Sequence, residues 1–478
     1  MCSNRACGLV LYFATTAFVL PAQTLTPLAA FKGANGISPH GSLVQGMDGS
    51  LYGTAEYGGS GAGGVIFNLA KGAGLTDFHS FILNSGDSSG QNPMGGLLLA
   101  ADGNFYGTTE LSSPGFGTIF KITPDGALTT IHTFAGTDGS WSQAGLVKAE
   151  NGDLYGTTTF SFVFPNFGYG TIFKITTAGV LTTLHSFNLT DGADPLAGLV
   201  QATNGNLYGT ASEGGNTTCY APKGCGTVFK ITPDGVFTTL HIFDQNDGAN
   251  PLAALVQASD GNLYGTTNSG GLAACNPPYG CGTIFRITSD GVLATIHNFD
   301  GADGVGPSGL VQATDGNLYG TTQYGGNTTC TNGCGTIFKI GLDGTFTSLY
   351  SDFGSGVGFR PQPHAALLQA TDGDFYGTTA LGPAPSSSGD GSIFKFSVGL
   401  GPFVKTLPGL GAVGSHVRIL GDDLTGATSV TFNGVAAAFS VVSPAQIVAT
   451  VPAGATTGKV QVIAPGGTLL STVGFVVP

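Results

Sequence analysis

Residues 198–210, GLVQATNGNLYGT, decide the fold because the segment recurs along the chain. Its tyrosine marks seven copies, Tyr52, Tyr106, Tyr155, Tyr208, Tyr264, Tyr319 and Tyr376, at intervals of 54, 49, 53, 56, 55 and 57 residues. Such a period belongs to repeat architectures, in which one unit cannot bury its apolar face alone and neighbouring units complete the core. Each copy reads as four short strands rich in Val, Ile, Leu, Phe, Tyr and Thr. In the fourth copy these are strand a at 198–202, b at 206–210, c at 226–232 and d at 236–243.

Turn chemistry supports the pairing. Between a and b every copy places Asx-Gly: Asp48-Gly49, Asp102-Gly103, Asn151-Gly152, Asn204-Gly205, Asp260-Gly261, Asp315-Gly316 and Asp372-Gly373. Asp125-Gly126, Asp234-Gly235, Asp290-Gly291 and Asp343-Gly344 join c to d in the same way. Asx-Gly predicts type I′ hairpins, which need positive φ at both central residues. Four-stranded antiparallel units repeated seven times predict a β-propeller; a β-solenoid has shorter coils without paired hairpins. Residues 25–31 (LTPLAAF) match strand d, for example LTTLHSF at 181–187, whereas the last copy stops after strand c at 391–397. The N-terminal strand is therefore expected to complete the last blade and close the ring, which removes open sheet edges.

After residue 399 the pattern changes to VRILG, SVTFNG, FSVVS, QIVATVP and KVQVIAP, separated by turns. These predict a small β-sandwich of immunoglobulin type over 399–478, behind a propeller at 23–398. The fold expected is thus all-β.

Composition narrows the function. The 478 residues include 81 Gly and 24 Pro, with 9% charged and 41% hydrophobic residues and a net charge of -13. Only 15 Lys and Arg stand against 28 Asp and Glu, so no basic footprint for nucleic acid exists. The hydrophobic share opposes disorder, and Gly without a period of three excludes collagen.

Residues 1–22 carry Arg5, an apolar run GLVLYFATTAFVL and Pro21-Ala22, which reads as a secretory signal peptide; the run is short for a transmembrane anchor. No second such run follows, so no membrane span is expected in the mature chain. Cys2 and Cys7 would leave with the signal, and the other six cysteines form close pairs, Cys219 with Cys225, Cys275 with Cys281 and Cys330 with Cys334. Local pairs of this kind suggest disulfide-closed loops in an oxidising compartment, and the spacings suit zinc poorly.

The elements LYGTT, GTIFKIT, PDG and TTLHSF resemble the bacterial tandem repeat called GloVer or Gloeo/Verruco over residues 24–397. The resemblance implies an extracellular protein without an established activity, usually carrying a C-terminal sorting signal; here the chain ends Val476-Val477-Pro478. The C-terminal part is similar to IPT/TIG domains through Val417 to Gly421, Val430 to Gly434, Val451-Pro452 and Thr457 to Val460. That similarity implies an interaction or spacer module.

With strands running up and down, the a-b and c-d turns share one face and the b-c loops and d-a connectors share the other. The second face carries the length variation and the Cys pairs, and function tends to sit on variable loops borne by a rigid scaffold. Candidate binding residues there are Trp141, Tyr57, Phe164, Phe167, Tyr169, Tyr220, Tyr279 and Tyr324. Their rings could stack on sugars or anchor a protein, or could instead cap the blade ends. After strand b the copies place Glu56, Glu110, Thr159, Ser212, Asn268 and Gln323, either a polar arc at one mouth or ordinary strand-end solvation.

His79, His132, His185, His241 and His297 recur at one place in strand d, and five copies of one base cannot share one active site, so they read as structural. Residues 86–90, GDSSG, match G-x-S-x-G but lie in a connector without the strand-turn-helix setting. Acidic connectors at 191–194 and 244–250 hint at calcium yet miss the EF-hand spacing, so no cofactor is expected. The sequence therefore points to a secreted or cell-surface protein that binds carbohydrate or protein without catalysis. A polysaccharide-acting enzyme and a purely structural or adhesion component are the alternatives.

Overall fold

The computed structural model describes residues 23–83, 89–113, 115–163, 166–327, 333–351, 353, 362–381 and 390–478. The expected signal segment, Phe164, Cys330 and Ser88 of the GDSSG match lie outside them.

The fourth repeat shows the plan. Strands a (Val200–Gln201), b (Leu207–Ala211), c (Thr227–Ile231) and d (Phe237–Ile242) pair antiparallel in that order. Strand b is buried throughout and c almost so, as a strand covered on both faces must be, while d is partly buried with Thr238 and Ile242 exposed. Strand a is shorter than its sequence suggests because the backbone before it serves the neighbouring repeat: the Thr157 hydroxyl donates to the Ala197 carbonyl at 3.2 Å.

Among the described residues seven four-stranded sheets follow this plan, as propeller-like blades. In the sheet of the seventh repeat the outer position is taken by the N-terminal strand Thr24–Ala30, paired with Ser392–Ser397. Consecutive sheets share apolar cores. Phe187 of repeat three meets Phe229 of repeat four edge-on at 5.4 Å, and Phe243 meets Phe285 at 5.3 Å. Phe31 of the N-terminal strand meets Phe67 of repeat one in the same way at 4.9 Å, within a cluster that joins Ile393 to Leu43, Leu51 and Val65.

The hairpin turns correct the type I′ expectation. The Gly of every a-b Asx-Gly pair has positive φ, from 82° to 93°, and none of the Asx residues does. In repeat four the Gly205 amide donates to the Ala202 carbonyl and the Ala202 amide to the Asn206 carbonyl, a three-residue loop closed by a left-handed glycine. The Asn204 side chain accepts from the Asn206 amide at 3.1 Å, so the Asx residue acts as a local acceptor and needs no left-handed backbone.

The C-terminal residues form two further four-stranded sheets around Val417, Ile419, Val430, Phe432, Ile447 and Val462. They pack on the tight-turn face of the repeats. Leu420 enters the cluster of Tyr52 and Phe105, Arg418 Nε donates to the Ala101 carbonyl at 2.9 Å, and Lys71 pairs with Asp422 at 2.8 Å. Lys405, half-buried, also joins the two parts, donating to the Gln369 carbonyl at 2.7 Å. Its burial brings its pKa down to about 8, against the opposing charge of Asp372.

Candidate functional site

The end of strand b and the d-a connector meet in each of the first five repeats through single bridges: Ile37 with Tyr57, Gln91 with Leu111, Ser140 with Phe160, Ala193 with Glu213 and Ala249 with Ser269. The face opposite the C-terminal sheets is therefore built from b-c loops and d-a connectors together. Six connectors turn into the next strand a through a residue with positive φ: Ser38 (56°), Asn92 (58°), Trp141 (59°), Asp194 (51°), Asn250 (52°) and Gly306 (63°).

The polar positions after strand b divide into two groups. In repeats one and two they meet. Glu56 lies 3.4 Å from the His40 imidazole, whose ring is 5.0 Å from that of His364. Burial pushes the Glu56 carboxyl up, but hydrogen bonds from His40, Tyr57 and Asn92 outweigh it and hold the group below its ordinary value. Glu110 accepts from Gln143 Nε2 at 2.9 Å, and here burial, reinforced by the charge of Glu56, wins and the carboxyl is raised. His364 is brought down to about 4 by burial and by the charge of His40. Gln362 links His364 to the Tyr324 hydroxyl, at 3.2 and 2.7 Å.

In repeat four the same position satisfies its own backbone. The Ser212 hydroxyl donates to the Asp194 carbonyl at 2.9 Å and Asn250 Nδ2 to the Ser212 carbonyl at 3.0 Å. Asp194 is raised to about 6 by burial and by Glu213, with Lys223 opposing.

The aromatic candidates separate likewise. Tyr57 is 46% exposed beside Glu56, and Tyr324 belongs to the histidine group through Gln362. Tyr220 and Tyr279 stand on the disulfide loops Cys219–Cys225 and Cys275–Cys281, rings 5.9 Å apart, with the Tyr220 hydroxyl donating to the Tyr279 carbonyl at 2.7 Å. Cys334 is disulfide-bonded as well. Tyr169 is exposed near Asp194, whose amide donates to its carbonyl, and Phe167 lies in strand Asn166–Gly168. Trp141 is 37% exposed, edge-on to Phe160 at 5.1 Å. It is the one bulky ring among the left-handed connector residues, a conformation that costs a side chain with Cβ roughly 1–2 kcal/mol.

The strand-d histidines and the acidic connectors explain each other. His132, His185, His241 and His297 bond Asp138, Asp191, Asp247 and Asp303 at 2.9, 3.1, 2.7 and 2.8 Å. The other oxygen of Asp191 and of Asp247 accepts a connector amide, from Asn188 and Asp244. Among the described residues no group of three or more His, Cys, Asp and Glu is arranged to hold a metal ion.

Sequence reasoning missed His40 and His364. Both follow the proline that precedes strand a, in Ser38-Pro39-His40-Gly41 and Gln362-Pro363-His364-Ala365, where other copies have Met94, Leu196, Leu252 and Ser308. Aligning this step would have found them.

The model of the Gloeobacter/Verrucomicrobia repeat matches residues 11–222, 78–276 and 272–417. The chain belongs to the Gloeobacter/Verrucomicrobia repeat family. The IPT/TIG domain model matches residues 405–476 of this family member. No curated protein matches it. Among solved structures a fungal alcohol oxidase in complex with copper is 13% identical, with 95% of this chain and 99% of that chain covered and a TM-score of 0.50. A luciferin-regenerating enzyme (13% identity, 67% and 96% covered, TM-score 0.41) and a gluconolactonase from Xanthomonas campestris (13%, 66% and 91%, 0.40) are more distant. At such identity the Gloeobacter/Verrucomicrobia repeat protein shares with the oxidase a fold and nothing further.

Proposed function

We propose that the protein is an extracellular, non-catalytic binding protein, and that its ligand, carbohydrate or protein, sits at the loop-face mouth beside Glu56, Glu110, Tyr57 and Trp141. One observation carries this reading. Charged and amide side chains from repeats one, two, three and seven, with the Tyr324 hydroxyl of repeat six, gather at that mouth, while the C-terminal sheets pack on the opposite face. The buried Glu56 and the half-buried Glu110, Gln143 and Gln362, held by their neighbours, form a pre-organised set of acceptors and donors.

The scaffold of this reading is a seven-bladed propeller over 23–398, closed by the N-terminal strand, with an immunoglobulin-like domain over 399–478. The Phe31–Phe67 contact and the pairing of Thr24–Ala30 support closure. Disulfides support an oxidising, extracellular setting, and no helix among the described residues is long and apolar enough to cross a membrane. The repeat and IPT/TIG matches favour an interaction role. No cofactor is required.

A polysaccharide-acting enzyme is the second reading, favoured by the opposite displacement of the neighbouring Glu56 and Glu110 carboxyls, the pattern of a base and an acid. A glycan array with the full mature chain, then a reducing-end assay on each hit, decides between them. Binding that is lost in the Glu56→Gln/Glu110→Gln variant, without product, is expected. Product formation would replace the first reading by the second, and silence on glycans and on surface-protein arrays would leave a structural component.

A further inference from the structure

Trp141 is hard to account for as packing. The connector position it occupies is left-handed in six repeats, and the other five of these fill it with Ser, Asn, Asp, Asn and Gly; repeat seven has Gln362 there. These residues accept positive φ because they are small or bond their own backbone. Repeat three instead places the only tryptophan of the chain there and lacks the proline that follows elsewhere. The ring is not buried in return, being 37% exposed with Phe160 against one edge.

Its surroundings are unsettled too. Ser140, the residue before it, and Thr159, whose amide donates to the Trp141 carbonyl, are buried, and neither hydroxyl has a hydrogen-bond partner. In repeat four the counterpart of Thr159, Ser212, bonds the connector carbonyl. Strain, an exposed ring and two orphaned hydroxyls thus coincide at one bridge, and such features cluster where a ligand is clamped. Two residues on, Gln143 holds Glu110 at 2.9 Å, so the connector that carries the ring also reaches the acceptor group of the mouth.

We infer that Trp141 is the stacking platform of a neutral-glycan subsite, with the apolar face of one sugar ring on the indole and its hydroxyls donating to Glu110 and Glu56. An indole offers a broad rigid surface to the C–H face of a sugar, and carboxylates accept from hydroxyl groups. The ligand is neutral because two carboxylates at the mouth and a net charge of -13 repel uronic or sulfated chains. This subsite rests on the mouth-binding reading above and names its ligand class.

A single tryptophan makes intrinsic fluorescence, excited at the red edge of indole absorption, a reporter of this site alone. The full mature chain is titrated with neutral hexasaccharides (gluco-, xylo-, manno-, galacto- and chito-oligomers) by fluorescence and calorimetry in parallel. Saturating fluorescence and heat with one dissociation constant are expected. Trp141→Asn, which places there the residue of repeats two and five, should keep or raise the melting temperature and weaken binding by about tenfold or more. Heat without a fluorescence change, with Trp141→Asn binding as the parent and Glu56→Gln/Glu110→Gln not binding, overturns the platform and leaves the mouth reading standing. Heat from none of the oligomers overturns the neutral-glycan assignment, and retained affinity for a protein on the surface-protein array then shows the mouth reading surviving without it.

Discussion

Gln45 and Thr371, 326 residues apart, bind each other twice: Gln45 Nε2 donates to Thr371 Oγ1 at 3.0 Å, and Gln45 Oε1 accepts from the Thr371 amide at 3.0 Å. The same amide-to-glutamine bond joins sequential repeats, from Thr203 to Gln257, Ser259 to Gln312 and Thr314 to Gln369, at 2.8, 2.9 and 3.0 Å. Repeat seven thus meets repeat one as repeat four meets five.

Closure predicts a cost at the seam no smaller than at a sequential junction. Gln45→Ala should lose about 1 kcal/mol in denaturant unfolding, since it strands the amide of buried Thr371, and Gln257→Ala less, since the Thr203 amide it frees is exposed to water. A Gln45 variant as stable as the parent beside a destabilised Gln257 variant would mean an open seam. Deleting residues 23–33 should cost far more, because Phe31 and a whole outer strand go with them.

The pH dependence follows from His364, brought from the ordinary 6.5 to about 4. Its folded value lies below its unfolded value, so between these limits the unfolded chain binds more protons and stability rises with pH. The contribution is complete above about 6.5 and is lost on acidification toward 4, on the order of 3 kcal/mol. Melting temperatures recorded across this window should fall more steeply for the parent than for His364→Gln; parallel curves would refute the assignment.

The strand-d histidines are pins for the connectors. His241→Ala and His297→Ala should each cost about 1 kcal/mol and add within a few tenths, because each bonds the connector of its own repeat. Glycan binding should be unchanged in both. A loss of binding without loss of stability would make them site residues.

Each short disulfide loop should contribute about 2 kcal/mol. Cys219→Ser/Cys225→Ser is expected to lower the unfolding midpoint by that amount and to release the Tyr220–Tyr279 contact, seen as faster amide exchange in both loops. Titration of the unreduced, unfolded chain should find no thiol at Cys219, Cys225, Cys275 or Cys281.

The C-terminal sheets should unfold with the repeats. Leu420 is buried among Tyr52 and Phe105, so Leu420→Ala should lose about 2–5 kcal/mol and split one calorimetric transition into two. A single unshifted transition would mean that the contact contributes nothing.

Much of this was legible in the chain because it is local. A tyrosine every fifty-odd residues, glycine where the hairpins need a left-handed backbone, and paired cysteines across short loops are set by propensity and spacing. The pattern could not distinguish a type I′ turn from a three-residue loop with one left-handed glycine, since both accept Asx-Gly, and the conformation follows from register. The mouth was less legible. Trp141, Tyr57, Glu56 and Glu110 could be named as loop-face residues, but their grouping could not.

By itself, then, the sequence determined seven four-stranded repeats, their turn positions, the Cys219–Cys225 and Cys275–Cys281 disulfides and the C-terminal β-sandwich, all readable within fifty or eighty residues. Only the tertiary structure decided that His40 and His364 meet, that Glu56 and Glu110 are pushed in opposite directions, and that the C-terminal sheets cover the turn face. Those depend on repeats from opposite ends of the chain becoming neighbours, and on burial, which acts on a side chain only after the surrounding sheets are in place.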